Sequence, residues 1–502
     1  MLRDRYNIQK GDRIVICSAN IPQYLVAFWA CQLIGAIPVL VNIWLPEKPL
    51  VHCILHTGSV VVLIDTERAD RIAPKLLHLQ NEGVRGVLVM DSLVHHSRWE
   101  HCKLWDDVLK SVSDVDLPQF LAQAVDVSPE DDATIVFTSG TTGLPKGVLS
   151  SYRAYLRAGE RLPNSSNDGP QTGMLVGVPL FHVSGLTSFS MLATLSGMKI
   201  ILMSKWDMKD AVRCSEFPLY CSLSSFLLVP SLISDLIDSD LQGHPFKFFL
   251  FGGAPAYPQL PKKAKDVFPH AMLTHSFGMT ETNAVCVAIA GEDYERRPTS
   301  CGIPCPVNDM MVVRDGKKVT DGSPGEVWLR GPNVMTGYWG EPGATELVLT
   351  RDDWYKTGDL GCIDSEGYLH IRDRIKDIII RNGENIDSTT VENAIYLDDR
   401  VYQAAAVGIP DPRLGEMVAV VVSEKNEYRG KVRRSELLNL ARKNFVCQSS
   451  EVCLALLTWS SSKIATLLTP SGKIMKQPLR ALAHKEWVRQ QTEQQPTASS
   501  RL

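Results

Sequence analysis

A run without a charged residue, from Ile14 to Pro46, constrains the fold more than any other feature of the sequence. The run is long enough to span a bilayer. Asn20 is nevertheless typical of a helix N-cap, and Pro22 of a first helical turn, so the run divides into shorter pieces. We therefore predict a buried β-α-β unit instead of a transmembrane segment, with strands at 14–18 and 37–41 and a helix at 24–33.

Further apolar strands, at 60–65 and 86–90, alternate with helices and predict a large α/β domain. A later segment bounded by glycines, 325–331, is typical of an antiparallel strand. Two strands and a helix after residue 380 indicate a small α+β domain. The predicted parts are an N-terminal domain at 1–372, a polar hinge at 373–377, a C-terminal domain at 378–489 and a flexible tail at 490–502.

Composition excludes several classes of protein. The length of 502 residues predicts two or three domains. The 52 Lys and Arg residues nearly balance the 56 Asp and Glu residues, so the charge does not favour nucleic acid as a partner. The twelve cysteines include no matched CxxC pairs, so we predict neither a structural zinc site nor a disulfide framework.

The strongest local motif lies at 133–148, where an apolar strand leads into a loop of Ser, Thr and Gly that ends at Lys146. Glycines allow a tight turn, and hydroxyl and backbone N–H groups can surround phosphate oxygens. Lys146 adds a positive charge that suits a phosphate. The loop lacks the GxxxxGK[ST] pattern of a Walker A motif. By itself the loop is equally consistent with a flexible turn, so a phosphate-binding role has to be supported by other motifs.

Seven further motifs follow, and with them the chain resembles the adenylate-forming superfamily of acyl-CoA synthetases, 4-coumarate–CoA ligases, beetle luciferases and peptide-synthetase adenylation domains. They are Pro179-Leu-Phe-His182, Gly252-Gly-Ala-Pro255, Phe277-Gly-Met-Thr-Glu-Thr282, Tyr355-Lys-Thr-Gly-Asp-Leu-Gly361, Asp373-Arg-Ile-Lys-Asp377, Gly383-Glu-Asn-Ile386 and Thr469-Pro-Ser-Gly-Lys-Ile474. The resemblance implies an α/β fold in which a large multi-sheet N-terminal domain carries a small, mobile α+β C-terminal domain.

The resemblance also implies a reaction in two steps. A carboxylate attacks the α-phosphate of ATP and gives acyl-AMP and pyrophosphate. The thiol of CoA then takes the acyl group and AMP leaves. We therefore expect ATP, Mg²⁺, CoA and a small carboxylic acid to bind. In such chemistry the protein mostly positions groups and neutralises charge.

The same resemblance assigns roles to single residues. Thr280 is expected at the α-phosphate and Glu281 at Mg²⁺, because this ion prefers oxygen ligands. Asp359 and Arg374 are expected at the ribose. Lys473 is the expected catalytic lysine, acting with Thr280 and Glu281. The residues expected along the triphosphate and the adenine are Thr138, Ser139, Gly140, Thr141, Thr142, Gly143, Lys146, Gly253, Ala254, Pro255, Phe277 and Gly278.

Outside the nucleotide site, Lys376 matches the hinge position and Gly383 matches a glycine beside the CoA thiol arm. His182 is expected to take part in catalysis at the mouth of the acyl pocket, although a lone His is often structural. The expected walls of this pocket are His182, Ser184, Ser188, Phe251, Ser276, Thr282 and Val285. They include no Lys, Arg or Asp, which favours an apolar fatty or aryl monocarboxylic acid.

The last three residues, Ser500-Arg501-Leu502, are a variant of the S-K-L tripeptide that the peroxisomal import receptor reads. We expect a peroxisomal location, with the cytoplasm as the alternative. Alternative functions are an adenylate-forming enzyme of the luciferase or peptide-synthetase type, or a degraded nucleotide-binding paralogue. The last idea rests on a start close to the first strand, where opening elements of the domain are expected to be missing, and on an atypical segment at 445–468.

Overall fold

The computed structural model describes residues 1–91, 99–111, 120, 125–138, 144–159, 172–216, 222–381, 384–413, 415–444, 455–459, 467 and 474–494. These residues form four β-sheets. The first two sheets are mostly parallel and flanked by helices, which is the predicted α/β architecture. The third sheet is antiparallel, and the fourth lies in the C-terminal part of the chain.

The first sheet contains the predicted β-α-β unit. Its strands, from edge to edge, are Gly337–Tyr338, Lys146–Ser151, Asp132–Thr138, Ile37–Leu40, Arg13–Cys17, Val61–Ile64, Gly86–Val89 and Lys103–Leu104. Its helices are Leu2–Tyr6, Pro22–Leu33, Glu47–His56, Thr66–Ile72, Leu76–Asn81 and Trp105–Lys110, with a 3₁₀ turn at Ala73–Lys75. Both strands of the unit are almost completely buried, which explains their lack of charge. Among the described residues, no helix is long and apolar enough to cross a membrane.

One detail of that unit was predicted wrongly. The N-cap of the helix is Ile21, and Asn20 does not cap it. The Asn20 side chain is buried, where its amide group donates to the Val178 carbonyl at 2.9 Å and its oxygen accepts from the Leu180 N–H at 2.8 Å. A buried amide is nearly always hydrogen-bonded, and its partners here lie just after the strand Thr172–Val176, which belongs to the second sheet. Asn20 therefore joins two sheets.

The second sheet orders its strands as Ile303–Pro304, Ala284–Ala290, Met272–Met279, Phe248–Gly252, Ser222–Leu228, Thr172–Val176 and Lys199–Leu202. Its neighbouring helices are Tyr152–Gly159, Met191–Leu195, Met208–Glu216, Pro230–Ile237, Leu260–Val267 and Gly291–Arg296, together with a π-helix at Ser184–Ser190. The strands from 199 to 279 run parallel, so their carboxyl ends share one edge of the sheet. Ligands of open α/β sheets bind outside such an edge.

The third sheet connects the two parts of the chain. Its strands are Lys317–Lys318, Asp309–Arg314, Gly325–Arg330, Tyr355–Ile363 and Leu369–Arg374, and the helix Pro342–Val348 lies between two of them in sequence. The strand predicted at 325–331 is present, with alternating buried and half-buried residues. A 3₁₀ turn, Ile375–Asp377, then leads from the last strand of this sheet into the fourth sheet.

The fourth sheet is covered on both faces. Its strands are Glu384–Ile386, Ile379–Arg381, Gly415–Glu424 and Val401–Asp411, and Ala455–Trp459 pairs in parallel with Gly415–Glu424. The helices Ser388–Ile395 and Arg434–Asn444 cover one face, and Lys476–Gln494 covers the other; a 3₁₀ turn forms at Asn426–Tyr428. This part is the α+β unit that the sequence predicted.

The final helix extends further than the sequence suggested, because the flexible tail was predicted to begin at 490 and the helix ends at Gln494. Gln and Glu are good helix formers, so a polar composition does not end a helix. Leu479 and Ala483 bury the start of this helix against the fourth sheet and hold it in place.

Candidate active site

A cleft of about 1400 Å³ lies where the four sheets meet. Every described residue of the predicted nucleotide, hinge and acyl sets lines it, apart from Phe251 and Thr282. These residues are Thr138, Lys146, His182, Ser184, Ser188, Gly253, Ala254, Pro255, Ser276, Phe277, Gly278, Thr280, Glu281, Val285, Asp359, Arg374 and Lys376. The motifs meet because several of them directly follow the carboxyl ends of parallel strands. Their individual roles remain predictions.

The phosphate end of the cleft is a β-hairpin. Strands Asp132–Thr138 and Lys146–Ser151 run antiparallel, with Thr138 opposite Lys146. The Thr138 hydroxyl donates to the Lys146 carbonyl at 3.4 Å, which closes the base of the loop. Ser139, Gly140, Thr141, Thr142 and Gly143 lie outside the described residues.

Two neighbours of Lys146 come from a distant part of the chain. Its Nζ lies 3.8 Å from Glu341 Oε2 and 5.1 Å from the centre of the Tyr338 ring. The carboxylate and the ring face both attract a cation. These contacts direct the Lys146 ammonium group towards the cleft, where phosphate oxygens would bind.

Glu281 lies in a 3₁₀ turn, Thr280–Thr282, that follows the strand Met272–Met279. The Tyr338 hydroxyl donates to Glu281 Oε1 at 2.9 Å. Burial raises the pKa of Tyr338, and the negative charge of Glu281 raises it further, so this hydroxyl stays protonated and remains a donor. Tyr338 thus holds the Glu281 carboxylate in one orientation.

This arrangement fits a magnesium ion that arrives with a nucleotide. Mg²⁺ in phosphoryl-transfer sites takes one or two protein carboxylates, and phosphate and water oxygens complete its shell. Within the described ranges, no group of three or more His, Cys, Asp or Glu residues could hold a metal alone. Glu281 could supply one hard oxygen ligand of the kind that such a shared site takes.

The wall predicted at the adenine depends on glycine. Gly253 has φ +78°, a left-handed conformation that residues with side chains rarely adopt. A Cβ on Gly252 would lie 2.3 Å from the Ser276 carbonyl oxygen, and one on Gly278 would lie 1.6 Å from the Ala284 carbonyl oxygen. The backbone therefore forms this wall, with close contacts that exclude side chains.

Asp359 and Arg374 face each other across two antiparallel strands of the third sheet. Arg374 Nε lies 3.1 Å from Asp359 Oδ1, and the Asp359 side chain is only 6% exposed. Burial lowers the pKa of Arg374, but Asp359, Glu281, Asp377 and Tyr355 together outweigh this effect, and the pKa is raised. The pair is therefore ionised and presents carboxylate and guanidinium groups that could bind ribose hydroxyls.

The acyl end of the cleft begins at His182. Its Nδ1 accepts from the Ser184 N–H at 3.3 Å and lies 2.7 Å from the Ser184 hydroxyl. Because Nδ1 is an acceptor, the neutral ring carries its proton on Nε2. Ser184 and Ser188 belong to the π-helix Ser184–Ser190, a conformation that is frequent at functional sites.

Two residues predicted as walls of this pocket do not line it. Phe251 is fully buried in the core of the second sheet, where its ring stacks on His275 with centroids 5.5 Å apart. The Thr282 hydroxyl is buried and bonds to the backbone at Met279 and Ala284. Both predictions failed because proximity to a motif in sequence does not fix the direction of a side chain.

The hinge residue Lys376 lies in the turn Ile375–Asp377, between the third and fourth sheets. Burial lowers the pKa of Lys376, and the positive charge of Arg374 lowers it further. Gly383 and Lys473 lie outside the described residues. The segment directly after Lys473, including Ile474, Met475 and Lys476, lines the cleft.

Comparisons with known proteins show the family of the chain. The sequence profile described as AMP-binding enzyme matches residues 1–339. The chain is 31% identical over 437 residues to a 2-succinylbenzoate–CoA ligase of Geobacillus sp. (strain WCH70), which covers 84% of this chain and 79% of that relative. The chain belongs to the AMP-binding enzyme family.

Other members of this adenylate-forming superfamily extend the similarity. A feruloyl-CoA synthase of Amycolatopsis is 31% identical over 427 residues, 83% of this chain and 79% of that protein. The solved structure of the o-succinylbenzoate–CoA synthetase from Bacillus subtilis, in complex with ATP and magnesium ion, matches with a TM-score of 0.73. That match has 23% identity and covers 94% of this chain and 89% of the other, so it supports the fold.

Some residues of this AMP-binding enzyme could not be found from its motifs. Tyr338 is 57 residues from Glu281, and Glu341 is far from Lys146 in sequence, so no local spacing points to either pair. Tyr355, which hydrogen-bonds Tyr338, was noted only as the first letter of a motif. Tyr338 and Glu341 are close together in the sequence. It is the pairing of the strand Gly337–Tyr338 with Lys146–Ser151 that brings them to Lys146.

Proposed function

We propose that this protein is an AMP-forming acid–CoA ligase that acts on an apolar aryl or fatty monocarboxylic acid. The cleft carries the proposal, because it joins the nucleotide motifs to an acyl end in one continuous space. Beyond His182, this end is lined by hydroxyl side chains, Ser184 and Ser188, and by apolar ones such as Val229 and Leu250. Such walls suit an apolar acyl group.

In the first step a carboxylate oxygen of the acid bonds to the α-phosphorus of ATP, and the bond to pyrophosphate breaks. Lys146 neutralises phosphate charge, and Thr280 donates near the α-phosphate. Asp359 and Arg374 fix the ribose, so the reacting groups start aligned. Glu281 holds Mg²⁺, which supplies positive charge to the phosphates when bound.

In the second step the sulfur of CoA bonds to the acyl carbon, and the bond to AMP breaks. His182 stands at the mouth of the acyl end with Nε2 protonated, as its contacts with Ser184 require. It can orient the acyl carbonyl by donating from Nε2. The relatives named for 2-succinylbenzoate and feruloyl substrates support an aryl acid in particular.

The test is acid-dependent exchange of pyrophosphate into ATP, followed by detection of thioester after addition of CoA. The panel contains ferulate, 2-succinylbenzoate, fatty acids of several lengths and amino acids, and reactions without acid are the control. Exchange and thioester with one class of apolar acid would support the proposal and name the substrate. Exchange without thioester would indicate an adenylate-forming enzyme with another acceptor. Absence of exchange from folded protein that binds ATP would indicate the degraded paralogue.

We also propose a peroxisomal address, supported by Ser500-Arg501-Leu502 at the end of the printed sequence. These residues lie outside the described part of the chain. The test is a fluorescent protein fused before the last twelve residues and expressed in eukaryotic cells. Punctate fluorescence that becomes diffuse when Leu502 is deleted would support the import receptor as a partner. Diffuse fluorescence in both cases would instead favour a cytoplasmic location.

A further inference from the structure

Four contacts join the C-terminal unit, defined here as residues 378–494, to the helices Pro230–Ile237 and Leu260–Val267 and to residues beside them. The Tyr402 hydroxyl donates to Asp235 Oδ1 at 3.3 Å, and the rings of Tyr257 and Tyr396 stack with centroids 5.5 Å apart. Two ion pairs flank them, between Lys425 and Asp238 at 2.8 Å and between Lys263 and Asp399.

The four contacts are not equivalent. Asp399 is 79% exposed and Asp238 is 54% exposed, and ion pairs in water contribute little to stability. The Tyr402–Asp235 bond is half-buried and, at 3.3 Å, long for a hydrogen bond to a carboxylate, but it forms only when its two partners meet in one geometry. The geometric specificity of the contact therefore resides in this bond and in the stacked tyrosines.

Tyr402 and Asp235 are each fixed within their own part of the molecule. Asp235 lies in the helix Pro230–Ile237 and also accepts from the Trp206 side chain. Tyr402 begins the long strand Val401–Asp411 of the fourth sheet. Burial raises the pKa of Tyr402, and the charge of Asp235 raises it further, so the hydroxyl remains a donor. A small movement of either unit breaks this bond.

The contact lies beside the cleft. Tyr257, Tyr396 and Tyr402 all line it, and so does the segment that follows Lys473. In the pose that these contacts hold, that segment therefore lines the same cleft as the nucleotide motifs. A contact that fixes this pose promotes the step for which Lys473 is expected to enter the cleft.

We propose that Tyr402 and Asp235 are positioning residues for acyl-AMP formation, because their bond holds the C-terminal unit against the helix Pro230–Ile237. The inference rests on the proposed function for its catalytic consequence, but the contact itself can be tested without activity. Neither residue touches the reacting atoms, and each acts through the placement of the segment after Lys473.

The experiment compares Tyr402→Phe, which removes only the hydroxyl, with Asp235→Asn, which keeps an acceptor for Tyr402. Tyr428→Phe is the matched control, since its ring packs on Lys431 inside the C-terminal unit. Two half-reactions are measured separately, as ATP–pyrophosphate exchange and as thioester formation from synthetic acyl-AMP and CoA. Hydrogen–deuterium exchange of the helix Pro230–Ile237 gives a readout that needs no substrate.

We expect Tyr402→Phe to slow ATP–pyrophosphate exchange by about 3- to 10-fold, as loss of one hydrogen bond does, and to leave the thioester step unchanged or faster. Deuterium uptake of the helix should rise in this variant and, to a smaller extent, in Asp235→Asn, while Tyr428→Phe stays near wild type. Equal change of both half-reactions by Tyr402→Phe, or unaltered uptake, would overturn the proposal. If the wild type forms no adenylate with any acid, the proposed function fails, whereas deuterium uptake still decides whether the contact holds the pose.

Discussion

At the scale of single residues, the orientation of the Glu281 carboxylate depends on the hydroxyl group of a tyrosine. Tyr338 donates to the carboxylate and its ring lies against Lys146, so one side chain contacts both the expected metal ligand and the expected phosphate ligand. Tyr355 is buried beside it, and burial raises its pKa as well. Both phenols therefore stay neutral, and the charge of Glu281 is available to a cation.

Replacement of Tyr338 by Phe should raise the Mg²⁺ concentration needed for half-maximal activity. Loss of the hydrogen bond frees the Glu281 carboxylate to rotate, at a cost of about 1 kcal/mol or roughly fivefold in apparent affinity. The measurement is a Mg²⁺ titration of ATP–pyrophosphate exchange at fixed ATP, with Tyr428→Phe as control. An unchanged titration midpoint would show that Tyr338 does not orient Glu281.

Replacement of Gly278 by Ala should destabilise the protein. The added Cβ would lie 1.6 Å from the Ala284 carbonyl oxygen, so two paired strands must separate at a cost of about 1–3 kcal/mol. Gly343→Ala is the control, since its Cβ would meet nothing within 4 Å. Thermal melting should show a lower midpoint for Gly278→Ala only. Equal midpoints would mean that the strands accommodate the methyl group.

Helices and strands set the positions of these residues. Three parallel strands of the second sheet deliver PLFH, GGAP and FGMTE to one edge, and the π-helix Ser184–Ser190 presents two serines at the acyl end. The helix Pro230–Ile237 contributes to the same cleft and also contacts the C-terminal unit. One element thus contacts both the cleft and the C-terminal unit.

This helix should give the protein a pH dependence that Asp235→Asn removes. The pKa of Asp235 is raised from 3.8 to about 6, because the effects of burial and of the Asp238 charge exceed the opposite effects of Tyr402, Trp206 and Lys425. The folded state therefore holds a proton that the unfolded chain releases between about pH 4 and 6, and stability from this group is lost as pH rises through that window. We expect the melting temperature of Asp235→Asn, relative to wild type, to rise from pH 4 to pH 6 and then to stay level. A constant difference across that range would contradict the raised pKa.

At the scale of the whole molecule, residues of two units line one cleft. The turn Ile375–Asp377 is the covalent link, and the contacts of Asp235, Asp238, Tyr257 and Lys263 with the C-terminal unit hold one pose. A change of backbone angles at such a link can swing a whole unit.

Lys473→Ala should separate the two half-reactions. A lost transition-state donor costs about 3–4 kcal/mol, so acyl-AMP formation should slow roughly 10²–10³-fold. Thioester formation from synthetic acyl-AMP should be nearly spared, because Lys473 is expected in the cleft only for the first step. Single-turnover assays of each step check this, with Lys485→Ala in the final helix as control. Equal slowing of both steps would mean that Lys473 does not act in one pose alone.

The order of the motifs predicted the family and the α/β fold, because each motif meets a local requirement. Glycines lie where the backbone is close-packed, and carboxylates lie beside the expected phosphate and ribose sites. The charge-free run predicted its β-α-β unit, since strands buried on both faces exclude charge. The sequence also indicated the small α+β unit after residue 378.

Tertiary structure alone decided the partners of buried polar groups. Asn20 looked like a helix cap, but its amide bonds to backbone 158 and 160 residues away. Tyr338 meets Glu281 across 57 residues, and Tyr402 meets Asp235 across 167. A local pattern reports which residues a strand or helix accepts, whereas these pairs depend on which elements become neighbours. Hydrogen bonds formed between distant segments are therefore what the sequence by itself left undetermined.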